Sequence, residues 1–251
     1  MVKKEWEKDS SWERAWHGDC VNTHAEEAKQ LIYAELMGLN QYRRIIPNRG
    51  QGYEFDLRGK SVLDIGGGPV SLLLKCVNFG EAVVIDPGDY PEWVVKRYEA
   101  HNILYIKGFA EEKEFKGFDE VWLYNVLQHT LDPEAVIINA KKAGKLVRIF
   151  EWVGTPISAG HPHSITEELL NKHFTGKFGD VTGENCVGKM FHGTYENKSD
   201  VVPFVNPKRK RFHLLGLAHL ATNKNEAIAC AFSQKVLKMG TMLKSLGHEV
   251  L

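Results

Sequence analysis

Val62-Leu63-Asp64-Ile65-Gly66-Gly67-Gly68-Pro69 is an apolar run that carries one acid and passes into a glycine turn. A short apolar run bounded by glycines reads as a buried strand, and the residues after it, 70–78, read as a helix. Glycines let the backbone pass close to a ligand, and a helix N-terminus beyond them offers unpaired N–H groups. Twenty residues after Gly66 the next apolar run, Val83-Val84-Ile85-Asp86-Pro87, also closes on an acid. A carboxylate at that place can accept both hydroxyls of a ribose. Together the two features point to a nucleoside-containing ligand at the carboxyl ends of parallel strands, and they do not name it.

Working outward, short apolar runs at 61–65, 82–85, 103–106, 120–123 and 145–150 alternate with amphipathic stretches or short connectors. That alternation predicts an α/β fold, a Rossmann-like, mostly parallel sheet with helices on both faces. Upstream, Ala25, Ala28, Leu31, Ile32, Leu36 and Leu39 fall at helical spacing over 22–39. Downstream, a helix is expected over 164–174. Two strand-like stretches then follow, 177–182 and 189–195, separated by Gly183 and Gly188; they read as an antiparallel hairpin that completes seven strands. Residues 199–211 hold Pro203, Pro207 and Lys208-Arg209-Lys210-Arg211 without periodicity and read as a linker. The last stretch, 212–251, reads as a strand, a polar loop and a helix, and the chain then stops in mid-element. The expectation is a longer native polypeptide.

Composition narrows the class. The 251 residues are 43% hydrophobic and 25% charged, as in an ordinary soluble globular protein. Thirty-two basic residues balance 32 acidic ones, so no global field recruits nucleic acid or a membrane surface. Cys20, Cys76, Cys186 and Cys230 form no C-x-x-C pair, and a charged N-terminus leaves no room for a signal peptide. A reduced, cytoplasmic setting is expected, with no membrane span.

The ligand can be narrowed from the turn itself. In a dinucleotide fingerprint the third glycine would stand at 71, where this chain has Ser71, and Asp64 would serve a pyrophosphate poorly. A ligand with a cationic amino group and a sulfonium suits that carboxylate better, which describes S-adenosylmethionine. Here the chain resembles the class I S-adenosylmethionine-dependent methyltransferases, from about residue 12 to 196. The resemblance rests on Asp64 to Pro69, on Asp86, on Gly108-Phe109-Ala110-Glu111, and on Phe118-Asp119-Glu120-Val121 leading into Asn125-Val126-Leu127-Gln128-His129-Thr130-Leu131-Asp132-Pro133. It implies that Asp64, Gly66, Gly67, Gly68 and Pro69 hold the amino-acid end, Asp86 the ribose, Phe109 and Ala110 the adenine, and Asn125 and Val126 the methionine part. S-adenosylhomocysteine would be the product. Val70 departs from the family, where many members have another glycine. The resemblance also implies a helical lid over residues 1–57 on a core of 58–198, with Trp12, Trp16, Lys29, Gln30 and Tyr33 facing the pocket or packing the helix.

Methyl transfer needs a base only when the acceptor must lose a proton. His129 follows the fourth strand of the parallel run; His161 and His163 follow the fifth, with Glu151 just upstream. His129, His161 and Glu151 are therefore the catalytic candidates, each set against a structural role as loop hydrogen-bonder or strand cap. Two-residue spacing of histidines in one loop is too weak a pattern to predict a metal. The Asn125-Val126-Leu127-Gln128 run lacks the Asn-Pro-Pro-aromatic motif of enzymes that methylate planar nitrogens. Residues 212–251 look like the opening of a two-lobed glycosyltransferase, which by association makes a sugar or glycan hydroxyl, or a related small metabolite, the expected acceptor. A nicotinamide-dependent oxidoreductase and a non-catalytic S-adenosylmethionine-binding module are the alternatives.

Overall fold

Residues 62–65 and 82–86 form the two strands at the middle of the molecule, and every residue in both is buried. They belong to a computed structural model that describes residues 23–46, 52–158, 160–183 and 186–197. In chain order the strands are β1 (Arg43–Ile45), β2 (Tyr53–Asp56), β3 (Val62–Ile65), β4 (Cys76–Val77), β5 (Ala82–Asp86), β6 (Leu104–Lys107), β7 (Phe118–Tyr124), β8 (Gly144–Trp152), β9 (Thr175–Gly183) and β10 (Cys186–Glu196). The helices are α1 (Thr23–Leu36), α2 (Glu92–Ala100), α3 (Pro133–Ala143) and α4 (Glu167–His173). The main sheet has seven strands in the order β6-β5-β3-β7-β8-β10-β9. Its first five in that order are parallel, and β10 and β9 close it as the antiparallel hairpin the glycine spacing predicts. The strand order reverses between β3 and β7, and ligands of open α/β sheets bind in the crevice at such a reversal.

Alternation along each strand divides the core into two layers. Val62, Val84, Trp122 and Phe150 face α1 and α2, meeting Tyr33, Met37, Val94 and Tyr98. Leu63, Val83, Val121 and Ile149 face α3 and α4, meeting Val136, Ile137, Ala140 and Leu170. Local chemistry starts the last two helices. Asp132 accepts from the N–H groups of Glu134 and Ala135 ahead of Pro133, and the Thr166 hydroxyl accepts from Leu169 N.

Two features depart from the expected pattern. Residues 70–78 form no α-helix; 3-10 turns at Gly68–Val70 and Leu72–Lys75 lead into β4. The cause is Ser71, extended at φ −51° and ψ 144°, whose hydroxyl accepts from Leu73 N and donates to Asp64. Second, 43–56 supplies β1 and β2, which join β4 in a small three-stranded sheet. Of the two roles left open for Tyr33 it takes the packing one, and with Ala34, Met37 and Leu39 it lies in the main core at 0–1% exposure. Trp12 and Trp16, the linker at 199–211 and the glycosyltransferase-like stretch at 212–251 lie outside the described residues. Among the described residues no helix is long and apolar enough to cross a membrane.

Beneath α1 lies a buried charge cluster. Arg148 donates to both oxygens of Glu120, at 2.7 and 3.3 Å, and to Met37 O at 2.8 Å. Glu120 also accepts from Tyr42, Trp122 and Lys60. These contacts hold the glutamate below its ordinary pKa against the opposing pull of burial.

Candidate active site

The chain between β3 and β4 is tied down by side chains from other elements. Tyr98 donates to Gly68 O at 2.6 Å, Arg97 to Pro69 O and Gln30 to Val70 O. The matching N–H groups are also paired: Gly68 with Asp86, Ser71 with the Tyr98 hydroxyl, and Leu72 with the Tyr124 hydroxyl. The glycines are required sterically. Gly66 has φ +73°, and a Cβ on it would stand 2.1 Å from Val126 Cγ2; one on Gly67 would stand 2.7 Å from Asp64 Oδ2. At Gly68, φ +61°, the space in front is open, with only the Tyr90 hydroxyl within 4 Å.

This turn forms one wall of a cavity of about 690 Å³, within the range of small-molecule sites. The cavity is lined by Asp86, Phe109 and Ala110, by Gly66, Gly67, Gly68 and Pro69, by Asn125, Val126 and Gln128, and by His129 and His161. Lys29 and Gln30 of α1 also line it, whereas Tyr33 lies beneath, stacked on Phe150 at 4.5 Å.

Two acids of the expected site sit behind the cavity wall. Asp64 is fully buried; its Oδ2 accepts from Ser71 and Tyr124, and its Oδ1 has no partner among the described residues. Burial pushes its carboxyl up to about 7 despite those two donors. Asp64 therefore shapes the turn from below and does not reach the cavity. Glu151 is likewise fully buried, and its Oε1 accepts from Val126 N and Leu127 N at 2.8 Å each. Desolvation pushes it up to about 8. Read from the sequence as a catalytic candidate, Glu151 is a positioning residue instead, because it anchors the Leu127–His129 turn and has no face on the cavity.

Asp86 lies at the end of β5 in the cavity wall, and burial raises its pKa against three hydrogen bonds. Its Oδ1 accepts from Gly88 N at 2.8 Å and Tyr90 OH at 2.9 Å, and its Oδ2 from Gly68 N at 3.0 Å. A carboxylate has about four acceptor positions, so one remains. Glu111 secures the adjoining loop, accepting from Leu131 N at 2.8 Å.

His129 and His161 converge in the cavity wall, their ring centroids 4.8 Å apart. His129 Nδ1 lies 2.6 Å from Gly160 O and its Nε2 lies 3.3 Å from Gln128 Nε2. A carbonyl can only accept, so the hydrogen bonds assign the proton to Nδ1 and leave Nε2 as the basic nitrogen. Burial lowers His161 below the ordinary histidine pKa. Gln128 is 3% exposed and donates to Asn125 Oδ1, while its buried Oε1 has no partner among the described residues. Asn125 has φ +53°. His163 instead faces Leu131 O at 3.2 Å. Among the described residues no three His, Cys, Asp or Glu side chains group as a metal site.

Gln128 and Tyr90 carry site chemistry that the sequence did not single out. Gln128 stood inside the quoted run next to His129; nothing in the sequence distinguished Tyr90 from a loop tyrosine.

The chain matches no protein-family profile and no curated protein sequence. Solved structures with a similar fold include the N-methyltransferase NodS from Bradyrhizobium japonicum WM9 in complex with S-adenosyl-L-homocysteine. It is 12% identical, with a TM-score of 0.47 over 68% of this chain and 88% of that one. Another is magnesium protoporphyrin IX methyltransferase from Synechocystis PCC 6803 with bound S-adenosylmethionine, 13% identical, with a TM-score of 0.45 over 69% and 81%. The [4+2]-cyclase SpnF is also similar, at 13% identity and a TM-score of 0.43 over 59% and 76%. At this distance the reading of function rests on the site itself.

Proposed function

We propose that this chain binds S-adenosylmethionine along the glycine turn and transfers its methyl group to an oxygen of a small acceptor, with His129 as general base. The observation that carries the reading is one cavity lined both by the glycine turn and Asp86 and by two converging histidines. The residues present fit the cofactor: the turn is bare of side chains at its three glycines where it fronts the cavity, and Asp86 keeps an acceptor position. When bound, the cofactor supplies an electrophilic methyl on a sulfonium.

The remaining chemistry belongs to the protein. Gly66, Gly67, Gly68 and Pro69 would hold the amino-acid end, Asp86 the ribose, and Phe109 and Ala110 the adenine, with Asn125 and Val126 beneath the methionine part. An acceptor hydroxyl standing where the Gln128 amide meets His129 Nε2 would give its proton to that nitrogen as its oxygen attacks. The Gly160 carbonyl then stabilises the imidazolium through Nδ1–H. His161, neutral beside it, presents no opposing charge. Positioning in line supplies most of the acceleration. A sugar hydroxyl is the first acceptor class to test, on the strength of the glycosyltransferase-like sequence at 212–251.

The oxidoreductase alternative gains nothing from the structure, since no α-helix follows the glycine turn to receive a pyrophosphate. Isothermal titration of the full chain with S-adenosylmethionine and S-adenosylhomocysteine tests the proposal, and saturable micromolar binding of both is expected. A folded chain that binds neither refutes it. Transfer of labelled methyl to candidate sugars then separates an enzyme from a binding module.

A further inference from the structure

We propose that Tyr90 is a specificity-determining residue of the nucleoside site, its phenol hydroxyl holding on Asp86 the place that a ribose hydroxyl takes when the ligand binds. The inference rests on the nucleoside reading above.

Tyr90 lies in the connection between β5 and α2, in Pro87-Gly88-Asp89-Tyr90-Pro91. Its ring folds back over Gly88, so that a Cβ on that glycine would stand 2.4 Å from the ring Cζ and 2.5 Å from the hydroxyl. The missing side chain at 88 is what lets the hydroxyl reach Asp86 Oδ1 at 2.9 Å. The other two donors on Asp86 are backbone N–H groups, of Gly88 and Gly68, and the local backbone is fixed. The Tyr105 hydroxyl lies 3.2 Å from both Asp86 O and Gly88 O and shares its proton between them. Of the three groups on this carboxylate, Tyr90 alone can leave by a side-chain rotation. With it in place Asp86 has one acceptor position left, enough for a single hydroxyl; a vicinal diol needs two. A ligand with both ribose hydroxyls must therefore displace Tyr90, and one without them need not. The tyrosine lowers the affinity for every nucleoside held through its diol and keeps the carboxylate hydrogen-bonded until one arrives.

The test compares adenosine with 2′,3′-dideoxyadenosine, and S-adenosylhomocysteine in parallel, by isothermal titration of the full chain. Tyr90→Phe removes the competing hydroxyl and keeps the ring. A hydrogen bond to a charged acceptor corresponds to roughly tenfold in affinity. Adenosine and S-adenosylhomocysteine should therefore bind roughly tenfold tighter to Y90F, while dideoxyadenosine stays within about twofold. Gly88→Ala, which drives the ring away sterically, should act in the same direction, and Y90F added to it should give no further gain. If Y90F binds S-adenosylhomocysteine as the parent does, or loses affinity for all three ligands alike, the inference is overturned and the proposed function stands. If the folded parent binds neither adenosine nor S-adenosylhomocysteine, both fall together.

Discussion

Glu151 provides the sharpest quantitative test of the site's construction. Its carboxyl is pushed from an ordinary 4.5 up to about 8 by complete burial, so the folded state keeps a proton that the unfolded chain releases above pH 4.5. The contribution to stability is full below about pH 4.5 and disappears as pH rises through 8. The shift corresponds to a ceiling of about 5 kcal/mol, at about 1.4 kcal/mol per unit. Glu151→Gln removes the titration but keeps a carbonyl oxygen for Val126 N and Leu127 N. Urea unfolding at pH 5, 7 and 9 should give near-equal stabilities at pH 5, and at pH 9 the variant should lead by about 2–5 kcal/mol. Asp64, displaced to about 7, tilts both curves alike between pH 4 and 7 and drops out of the difference. Parallel curves for the two proteins would refute the claim that Glu151 is buried and protonated beneath the Leu127–His129 turn.

Three further outcomes are expected. His129→Ala should lower kcat by about 10²- to 10⁴-fold, the usual worth of a general base, and leave S-adenosylhomocysteine affinity unchanged by titration. Gly66→Ala puts a methyl 2.1 Å from Val126 Cγ2 at a positive φ; it should abolish cofactor binding and lower stability by about 1–3 kcal/mol in urea melts. Arg148→Met leaves Glu120 buried without its main counter-charge and should cost about 3–5 kcal/mol in thermal unfolding, whereas adding Glu120→Gln should recover most of it.

The parallel strands were legible because strands buried on both faces read as apolar runs, broken in β3 and β5 by a single acid each. The hairpin was legible from its glycines, and α1 from periodicity. The expected helix at 70–78 failed because its leucines serve burial just as well from 3-10 turns. The contacts that support the extended Ser71, Tyr98 and Tyr124 on the amides of Ser71 and Leu72, come from residues 27 and 52 positions away. Strands β1, β2 and β4 are too short for a period to show. At the site, residue types were readable but not which side of the wall they occupy. Asp64 and Asp86 look alike in sequence, and only the sheet and the turn decide that one supports the wall and the other faces the cavity.

The glycine turn has a consequence for how the chain breathes. Its amides at Gly68, Ser71, Leu72 and Leu73 end on side-chain oxygens delivered by β5, α2, β7 and Ser71 itself. A loop wired in this way should exchange its amide hydrogens as slowly as the strands it joins, because opening it means pulling apart several elements at once. Little conformational entropy is then left for a ligand to remove there, and the free energy of binding is not spent on ordering its own cradle.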